Sequence, residues 1–272
     1  TRGHIRKPTF SADFPAKLIE TQLAWQDLVL DPYTQDQVYE IKTWIDHGQE
    51  LLEQYDLGKK IKPGYRSLFF GPSGTGKTLT ASLLGKVTGR DVYRIDLTLV
   101  ISKYIGETEK NLEKVFKQAE HKDWILFFDE ADALFGKRTS VNDAHDKFAN
   151  QEVSYLLQRL EDYAGVVILA SNLKNNLDEA FTRRFQSIIH FPIPKQSERL
   201  KLWTSAFANK FELDHDVDFH ALANDYEMPG GSIINVVRYA CLMTLAQQKQ
   251  CIPFSLIKEG IRKEFHKEGK TF

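Results

Sequence analysis

One stretch of the chain decides its fold: Gly71-Pro72-Ser73-Gly74-Thr75-Gly76-Lys77-Thr78. It follows the apolar run 67–70 and opens the helix-forming run 79–84. Its glycines allow a tight turn whose backbone N–H groups point inward, and the positive end of the following helix adds to their field. The order of strand, glycine-rich turn and helix therefore predicts a phosphate-binding loop rather than an ordinary surface turn.

The loop carries two side chains that suit a phosphate chain and its metal ion. Lys77 can reach the β- and γ-phosphates, and the Thr78 hydroxyl can ligate Mg²⁺. A second motif supplies the acidic partners, because the apolar run 125–128 ends in Asp129 and Glu130. We expect Asp129 to hold Mg²⁺ through water beside Thr78, and Glu130 to orient the attacking water as a general base.

Polar residues also accompany the two later strands. Asn172 follows the run 166–170. We expect it between the phosphate-binding loop and the acidic strand, within reach of the γ-phosphate, because ligands bind at strand ends of open α/β sheets. Arg183 and Arg184 precede the next strand. Paired arginines can stabilise phosphoryl charge in the transition state, but the spacing is explained equally well by a surface ion pair.

The run Ser-Lys-Tyr-Ile-Gly-Glu at 102–107 allows two interpretations. Tyr104 and Ile105 beside Gly106 could form an exposed gripping loop. From physical chemistry alone, burial of these two side chains in the core is the favoured interpretation.

The spacing of apolar residues predicts the architecture. Between residues 61 and 192, short apolar strands alternate with helices, which is typical of a parallel sheet buried on both faces. We predict an α/β fold, a three-layer P-loop NTPase sandwich around a five-stranded parallel sheet. Residues 193–272 are predicted to form a small all-α lid after a hinge at 192–194. Residues 1–60 are predicted to be a lead-in packed on the core, with a short helix near 16–22 and an amphipathic helix at 34–55.

Composition narrows the classes of function. The chain has 272 residues, a hydrophobic content of 42% and a formal net charge of −1, so a packed core is expected and a nucleic-acid partner is not. No apolar run reaches membrane-spanning length and no secretory leader is visible, so we expect a cytoplasmic protein with no membrane partner. Cys241 and Cys251 have no metal or redox spacing and are predicted to be buried thiols.

Taken in order, these motifs resemble a known family. The phosphate-binding loop, Lys-Tyr-Ile-Gly-Glu, Phe-Asp-Glu-Ala-Asp, Ala-Ser-Asn and Thr-Arg-Arg-Phe are similar to those of an AAA ATPase of the AAA+ superfamily, over about residues 25–265. The resemblance implies ATP/ADP and Mg²⁺ as ligands, Walker A at 71–78 and Walker B at 127–130. It further implies sensor 1 at Asn172 and, at Arg183 and Arg184, arginine fingers that act on the ATP of a neighbouring subunit.

The resemblance also implies roles that the residues alone do not. It makes a substrate-gripping pore loop of Lys103, Tyr104, Ile105 and Gly106. It assigns the adenine pocket to Asp27, Leu28 and Val29, and a nucleotide contact in the lid to Gly231 and Ser232, where no sensor-2 arginine is present. Residues 135–146 further resemble AAA ATPases encoded beside phage-tail-like contractile injection systems.

The implied function is Mg²⁺-dependent ATP hydrolysis by a homo-oligomeric ring, expected to be a hexamer, that remodels, unfolds or disassembles a protein substrate. One alternative is a nucleotide-switched assembly scaffold that threads nothing. Another is a DNA-handling AAA+ protein, although the near-neutral charge and the absent sensor-2 arginine count against it. A P-loop kinase would need a phosphate-acceptor site, and the acidic strand end followed by Asn172 fits hydrolysis better.

Overall fold

A computed structural model describes residues 15–55, 57–97, 107–120, 122–134, 144–172, 179–207 and 211–270. The predicted α/β class is confirmed, because helices cover both faces of a mostly parallel sheet. The predicted pore loop, 103–106, and residues 135–143 lie outside the described residues. Within the described ranges, no helix combines the length and apolar character needed to cross a membrane.

Six strands form the central sheet: β1 (Ala16–Ile19), β2 (Tyr65–Phe70), β3 (Val92–Asp96), β4 (Ile125–Asp129), β5 (Val166–Ser171) and β6 (Ser187–His190). Their order is β1-β3-β4-β5-β2-β6, and the five predicted strands, β2 to β6, pair in parallel. β5 lies between β2 and β4, as predicted for the strand that precedes Asn172. The carboxyl-terminal ends of these three strands therefore lie side by side.

The sixth strand corrects a prediction, because residues 16–22 were expected to contain a short helix. β1 instead pairs antiparallel with β3, with Ile19 opposite Val92. Ala16 and Leu18 pack on one core cluster and Ile19 on the other, which is the alternation of a strand. Pairing with the otherwise open edge of β3 outweighs the local sequence preference.

Helices cover the two faces of the sheet: α1 (Pro32–Glu53), α2 (Lys77–Thr88), α3 (Glu107–Ala119) and α4 (Ala144–Asp162). α1 and α2 pack against Phe69 and Phe127 on one face, and α3 and α4 pack against Leu68 and Phe128 on the other. All four strand side chains are fully buried, and burial of each contributes about 1.5–3 kcal/mol. A core on both faces fixes the register of the strands and hence the position of their ends.

A short helix, α5 (Glu179–Thr182), leads to β6. The chain then forms α6 (Gln196–Ala206), α7 (Phe219–Asp225), α8 (Gly230–Ala246) and α9 (Phe254–Lys267). These later helices share a third core cluster that includes Trp203, Ile233 and Ile257. The C-terminal region is helical, as predicted, but it is not all-α, because β7 (Glu212–Leu213) pairs in parallel with β8 (Cys251–Ile252). Cys251, predicted to be buried, is exposed, and Cys241 is half-buried.

Candidate active site

The glycine-rich loop joins β2 to α2 with backbone angles that glycine adopts most easily. Gly71, Gly74 and Gly76 have φ values of +147°, +76° and +102°. A Cβ atom on Gly71 would lie 2.1 Å from the carbonyl oxygen of Phe191, so no other residue fits there without displacing backbone. Gly76 is the N-cap of α2, which directs the positive end of that helix at the loop. The local sequence therefore builds a cradle suited to phosphate.

Lys77 projects from the first position of α2 back across the loop. Its Nζ donates to the carbonyl oxygens of Gly71 (2.6 Å) and Pro72 (2.9 Å) and to Oδ1 of Asn172 (3.1 Å). Burial lowers the pKa of Lys77, whereas the nearby carboxylates of Asp129 and Asp132 raise it. The ammonium group is thus held by neutral oxygens at the point where the strands β2 and β5 end.

The acidic pair stands at the end of β4. Asp129 Oδ1 accepts a hydrogen bond from the backbone N–H of Glu130 (3.0 Å), and Asp129 Oδ2 lies 2.9 Å from Nε of Arg94 in an ion pair. Glu130 is exposed and has φ +54°, an uncommon backbone conformation for a residue other than glycine. Such strained positions concentrate at active sites.

The predicted metal ligands fit a magnesium ion. Mg²⁺ takes oxygen ligands and keeps several of its waters. The Thr78 hydroxyl and the Asp129 carboxylate line the same cavity and would hold the ion. Because each oxygen of Asp129 already has a protein partner, this carboxylate suits contact through the metal's water ligands. When bound, Mg²⁺ would neutralise charge on the β- and γ-phosphate oxygens.

The position of Asn172 depends on a residue that sequence analysis did not single out. The backbone N–H of Asn172 lies 3.0 Å and 3.1 Å from the two carboxylate oxygens of Asp132, which also accepts a hydrogen bond from the Ser171 hydroxyl. Asp132 therefore fixes the end of β5 beside Lys77. The only hint of this role in the sequence was that Asp132 lies two residues after Glu130. Arg94 was also not singled out, although an arginine between the buried residues Tyr93 and Ile95 could have pointed to it.

A cavity of about 610 Å³ unites most of the predicted site residues, and this volume is typical of a small-molecule site. The predicted residues that line it are Asp27, Leu28, Val29, Ser73, Gly74, Thr75, Gly76, Lys77, Thr78, Asp129, Glu130, Asn172 and Gly231. Arg94, Leu202 and Ile234 also line it and were not predicted. Gly71, Pro72 and Ser232 are not among the lining residues, although the carbonyls of the first two bind Lys77.

The C-terminal helices close one side of the cavity. The backbone N–H of Gly231 in α8 donates to the carbonyl oxygen of Gly74 in the phosphate-binding loop (2.9 Å). A Cβ atom on Gly231 would lie 3.0 Å from Cα of Gly74. The first turn of α8 therefore rests directly on the loop, and its N–H at this position already has a protein acceptor. Leu28, Val29 and Leu202 add apolar side chains to the lining of the cavity, which suit a purine ring.

Arg183 and Arg184 lie away from the cavity. Both precede β6 and lie near the amino-terminal end of the neighbouring strand β2, whereas the phosphate-binding loop follows the carboxyl-terminal end of β2. The Arg184 guanidinium forms an ion pair with Glu161 (2.9 Å). Arg183 is exposed and has no hydrogen-bond or ion-pair partner within the described residues.

Comparison with known proteins identifies the region that carries this site. Residues 67–193 match the family described as "ATPase family associated with various cellular activities (AAA)". The chain is 36% identical over 197 residues to "ATPase family gene 2 protein" of Schizosaccharomyces pombe, covering 68% of this chain and 24% of that protein. It is 30% identical over 243 residues to "Cell division cycle protein 48 homolog" of Archaeoglobus fulgidus, covering 83% of this chain and 32% of that protein.

A third relative has similar coverage of this chain. "26S proteasome regulatory subunit 10B homolog A" of Arabidopsis thaliana is 28% identical over 238 residues, covering 84% of this chain and 59% of that protein. The chain thus spans between a quarter and three-fifths of the length of these relatives. The family match begins in β2 and ends just after β6, so it includes the phosphate-binding loop, the acidic strand end and Asn172. The chain therefore contains an AAA ATPase domain, an enzyme module that hydrolyses ATP.

Proposed function

We propose that the chain is one subunit of a Mg²⁺-dependent ATPase ring, a hexamer, that remodels a protein substrate. The observation that carries the proposal is the distance between the nucleotide cavity and the paired arginines within one subunit. One cavity holds the phosphate cradle, the metal ligands, the water-orienting carboxylate and the sensor residue. The arginines that would complete the site for hydrolysis lie at the opposite ends of the same strands.

Binding would use groups of the residues that line the cavity. The loop N–H groups and the positive end of α2 attract the phosphates, and the Lys77 ammonium exchanges carbonyl oxygens for β- and γ-phosphate oxygens. Thr78 and Asp129 would hold Mg²⁺. The apolar walls from Leu28 and Leu202 cover the base. These interactions fix the γ-phosphate beside the ends of β4 and β5.

Hydrolysis then needs a positioned water molecule. Glu130 can accept its proton as the water attacks the γ-phosphorus and the bond to the β,γ-bridging oxygen breaks. Asn172 Oδ1 holds Lys77, and its amide N–H₂ group can orient the water or a γ-phosphate oxygen. The domain thereby converts ATP and water into ADP and phosphate.

The same subunit cannot supply the arginine finger. β2 has six residues, and at about 3.3 Å per residue its two ends are roughly 16 Å apart. That distance exceeds the reach of an arginine side chain, which favours action on the ATP of a neighbouring subunit. We assign the finger to Arg183, because Arg184 is occupied by Glu161 within its own subunit. The site of each subunit is thus completed by the next.

The substrate class rests on the relatives. These relatives include a proteasome regulatory subunit, a cell division cycle protein homolog and a peroxisomal ATPase, as their names state. We propose by analogy that this chain acts on protein, through Tyr104 in the proposed pore loop. The proposed organisation is a lead-in at 1–60, a nucleotide-binding core at 61–192 and a lid at 193–272. The link to contractile injection systems stays a proposal that rests on residues 135–146 alone.

The test is the mass of the Glu130→Gln variant in solution with and without ATP. This variant should retain ATP and hold the ring together, so a sixfold increase over the 31.3 kDa chain is expected only when ATP is present. Glu130→Gln combined with Lys77→Ala is the matched control and should stay at the mass seen without nucleotide. A monomer under both conditions, with ATP bound, would contradict the ring.

A further inference from the structure

Arg66 is a buried arginine at the start of the strand that leads to the phosphate-binding loop. Its side chain and backbone together are 6% exposed. A buried guanidinium is retained only where its N–H groups have acceptors, because losing water without replacement is costly. Arg66 lies at the end of β2 opposite to the loop, so it takes no part in binding phosphate. Its acceptors indicate what else it does.

Three hydrogen bonds join Arg66 to the turn formed by residues 183–186, which we name the finger turn. Arg66 Nε donates to the carbonyl oxygen of Arg184 (3.2 Å). The backbone N–H of Arg66 donates to Oε1 of Gln186 (2.8 Å), and the backbone N–H of Gln186 donates to the carbonyl oxygen of Arg66 (2.9 Å). The backbone on both sides of Phe185 is therefore attached to one residue of β2.

Glu161, near the end of α4, completes this attachment from a second direction. Arg66 Nη1 donates to the carbonyl oxygen of Glu161 (3.3 Å). The carboxylate of Glu161 forms an ion pair with the Arg184 guanidinium (2.9 Å). Both the backbone and the side chain of Arg184 are thus held within the subunit. Arg183, its immediate neighbour, is exposed and has no partner in the described part of the chain.

We propose that Arg66 is a positioning residue for Arg183, holding the finger turn so that Arg183 points out of its own subunit at a fixed angle. This rests on the proposed action of Arg183 on a neighbour's ATP. The effect is one of preorganisation, since a misplacement of about 1 Å at a reacting centre can lower a rate by about 100-fold. Arg66 therefore serves the neighbouring subunit's reaction while contributing nothing to ATP binding in its own.

The test is a subunit-mixing experiment with full chains. Lys77→Ala subunits cannot bind ATP but can donate the finger, and Arg183→Ala subunits bind ATP but lack the finger. Mixing the two should restore hydrolysis at Arg183→Ala sites. Arg66→Met is then added either to the donor or to the acceptor. When the donor carries Arg66→Met, we expect the restored rate of ATP hydrolysis to be at least about tenfold lower. We expect the acceptor form to keep the restored rate and its affinity for ATP.

This asymmetry separates positioning from a general loss of structure, which would impair donors and acceptors alike. Arg66→Lys should restore donation only in part, because lysine lacks the planar fork that joins Arg184 and Glu161. Ser67→Ala is the matched control, since it removes a buried hydrogen bond between β2 and β6 without touching the finger turn. Should Arg66→Met not fold, Gln186→Ala, at an exposed position, should show the same asymmetry.

The outcomes distinguish the two proposals. Equal rescue by Lys77→Ala donors with and without Arg66→Met would overturn the role of Arg66 and leave the finger assignment standing. Equal loss in donor and acceptor would also overturn it, in favour of a structural role. Failure of the unmodified donor to restore any activity would overturn the finger in trans, and the role of Arg66 with it.

Discussion

Lys77 combines burial with contacts to neutral oxygens. Its ammonium group has three protein acceptors, of which two are backbone carbonyls. Burial lowers the pKa of Lys77, and the carboxylates of Asp129 and Asp132 raise it without compensating fully. Phosphate oxygens would supply negative charge at short range and favour the protonated form again. ATP binding and protonation of Lys77 are therefore coupled.

We predict that ATP affinity falls as pH rises toward 10.5, the ordinary pKa of lysine. Because the folded-state pKa of Lys77 lies below that value, its ammonium group loses its proton at a lower pH than an exposed lysine would, and with it the attraction for phosphate. For the same reason, the free energy of unfolding of the nucleotide-free protein should increase as pH rises from the lowered pKa of Lys77 toward 10.5. Titration of ATP binding between neutral and alkaline pH checks this. Lys77→Arg should bind without this alkaline loss, and an equal loss in that variant would contradict the assignment.

The role of Glu130 gives a second prediction at the residue level. Glu130→Gln keeps the size and polarity of the side chain but cannot accept the proton of the attacking water. Turnover should fall by about 100-fold or more, while ATP affinity changes little. Single-turnover hydrolysis and equilibrium binding separate the two effects. Normal turnover in this variant would remove Glu130 as the general base.

Most residues that line the candidate site were predicted from the sequence, but the residues that support them were not. The phosphate-binding loop, Asp129 and Glu130 were predictable because their spacing is set by chemistry that acts within a few residues. Arg94 and Asp132 were not predictable, because they act through contacts with other strands. Arg94 forms an ion pair with Asp129, and Asp132 accepts a hydrogen bond from the backbone N–H of Asn172. Such partners become visible only when register and strand order are known.

At the level of elements, close backbone contacts set the shape of the site. The end of β2 is pressed against the chain that leaves β6, so that the carbonyl of Phe191 occupies the space beside Gly71. The first turn of α8 is pressed against Gly74 in the same way. Packing therefore favours glycine at positions 71 and 231, where a Cβ atom would lie 2.1 Å and 3.0 Å from backbone atoms. Two substitutions test these contacts separately.

Gly71→Ala should destabilise the fold strongly. Its φ of +147° is unfavourable for alanine, and the added Cβ would lie 2.1 Å from a backbone oxygen that cannot move alone. We expect a loss of about 3 kcal/mol or more in the free energy of unfolding by denaturant. Gly89→Ala is the control, because φ is +68° there but the space is open, so only about 1 kcal/mol should be lost. Equal losses would show that the contact with Phe191 is unimportant.

Gly231→Ala should weaken ATP binding without unfolding the protein. The new Cβ would lie 3.0 Å from Cα of Gly74 and would push α8 away from the phosphate-binding loop. The matched control is Gly230→Ala, whose nearest neighbour is a side-chain atom of Leu202 at 3.4 Å that can adjust. We expect ATP affinity to fall several-fold in the first variant and to stay unchanged in the second. The same ATP affinity in both variants would show that the contact between α8 and Gly74 does not contribute to nucleotide binding.

Predictions of elements failed where tertiary pairing outweighed local pattern. Residues 16–19 form a strand because β3 offers an open edge, and β7 and β8 are too short to show any period. Within the described residues, the five parallel strands and the helices around them were predictable, since buried strands and amphipathic helices differ clearly in composition and period.

For the whole molecule, the phosphate-binding loop and the proposed finger lie at opposite ends of the strands of a single sheet. The loop follows the end of β2, and the finger turn is attached to its beginning by Arg66. In the proposed ring, such a subunit would bind ATP at one end of the strands and offer an arginine to its neighbour at the other. Under the proposal the two surfaces in contact are different, and a head-to-tail contact of this kind gives a ring when the rotation between subunits closes.

The central claim, that each site is completed by a neighbouring subunit, is tested most directly by ATP hydrolysis in mixtures of Lys77→Ala and Arg183→Ala chains. Neither variant should hydrolyse ATP appreciably alone. Mixtures should regain activity with a maximum at intermediate ratios, because intact sites then form between unlike subunits. Activity that equals the weighted sum of the two separate variants at every ratio would contradict the claim.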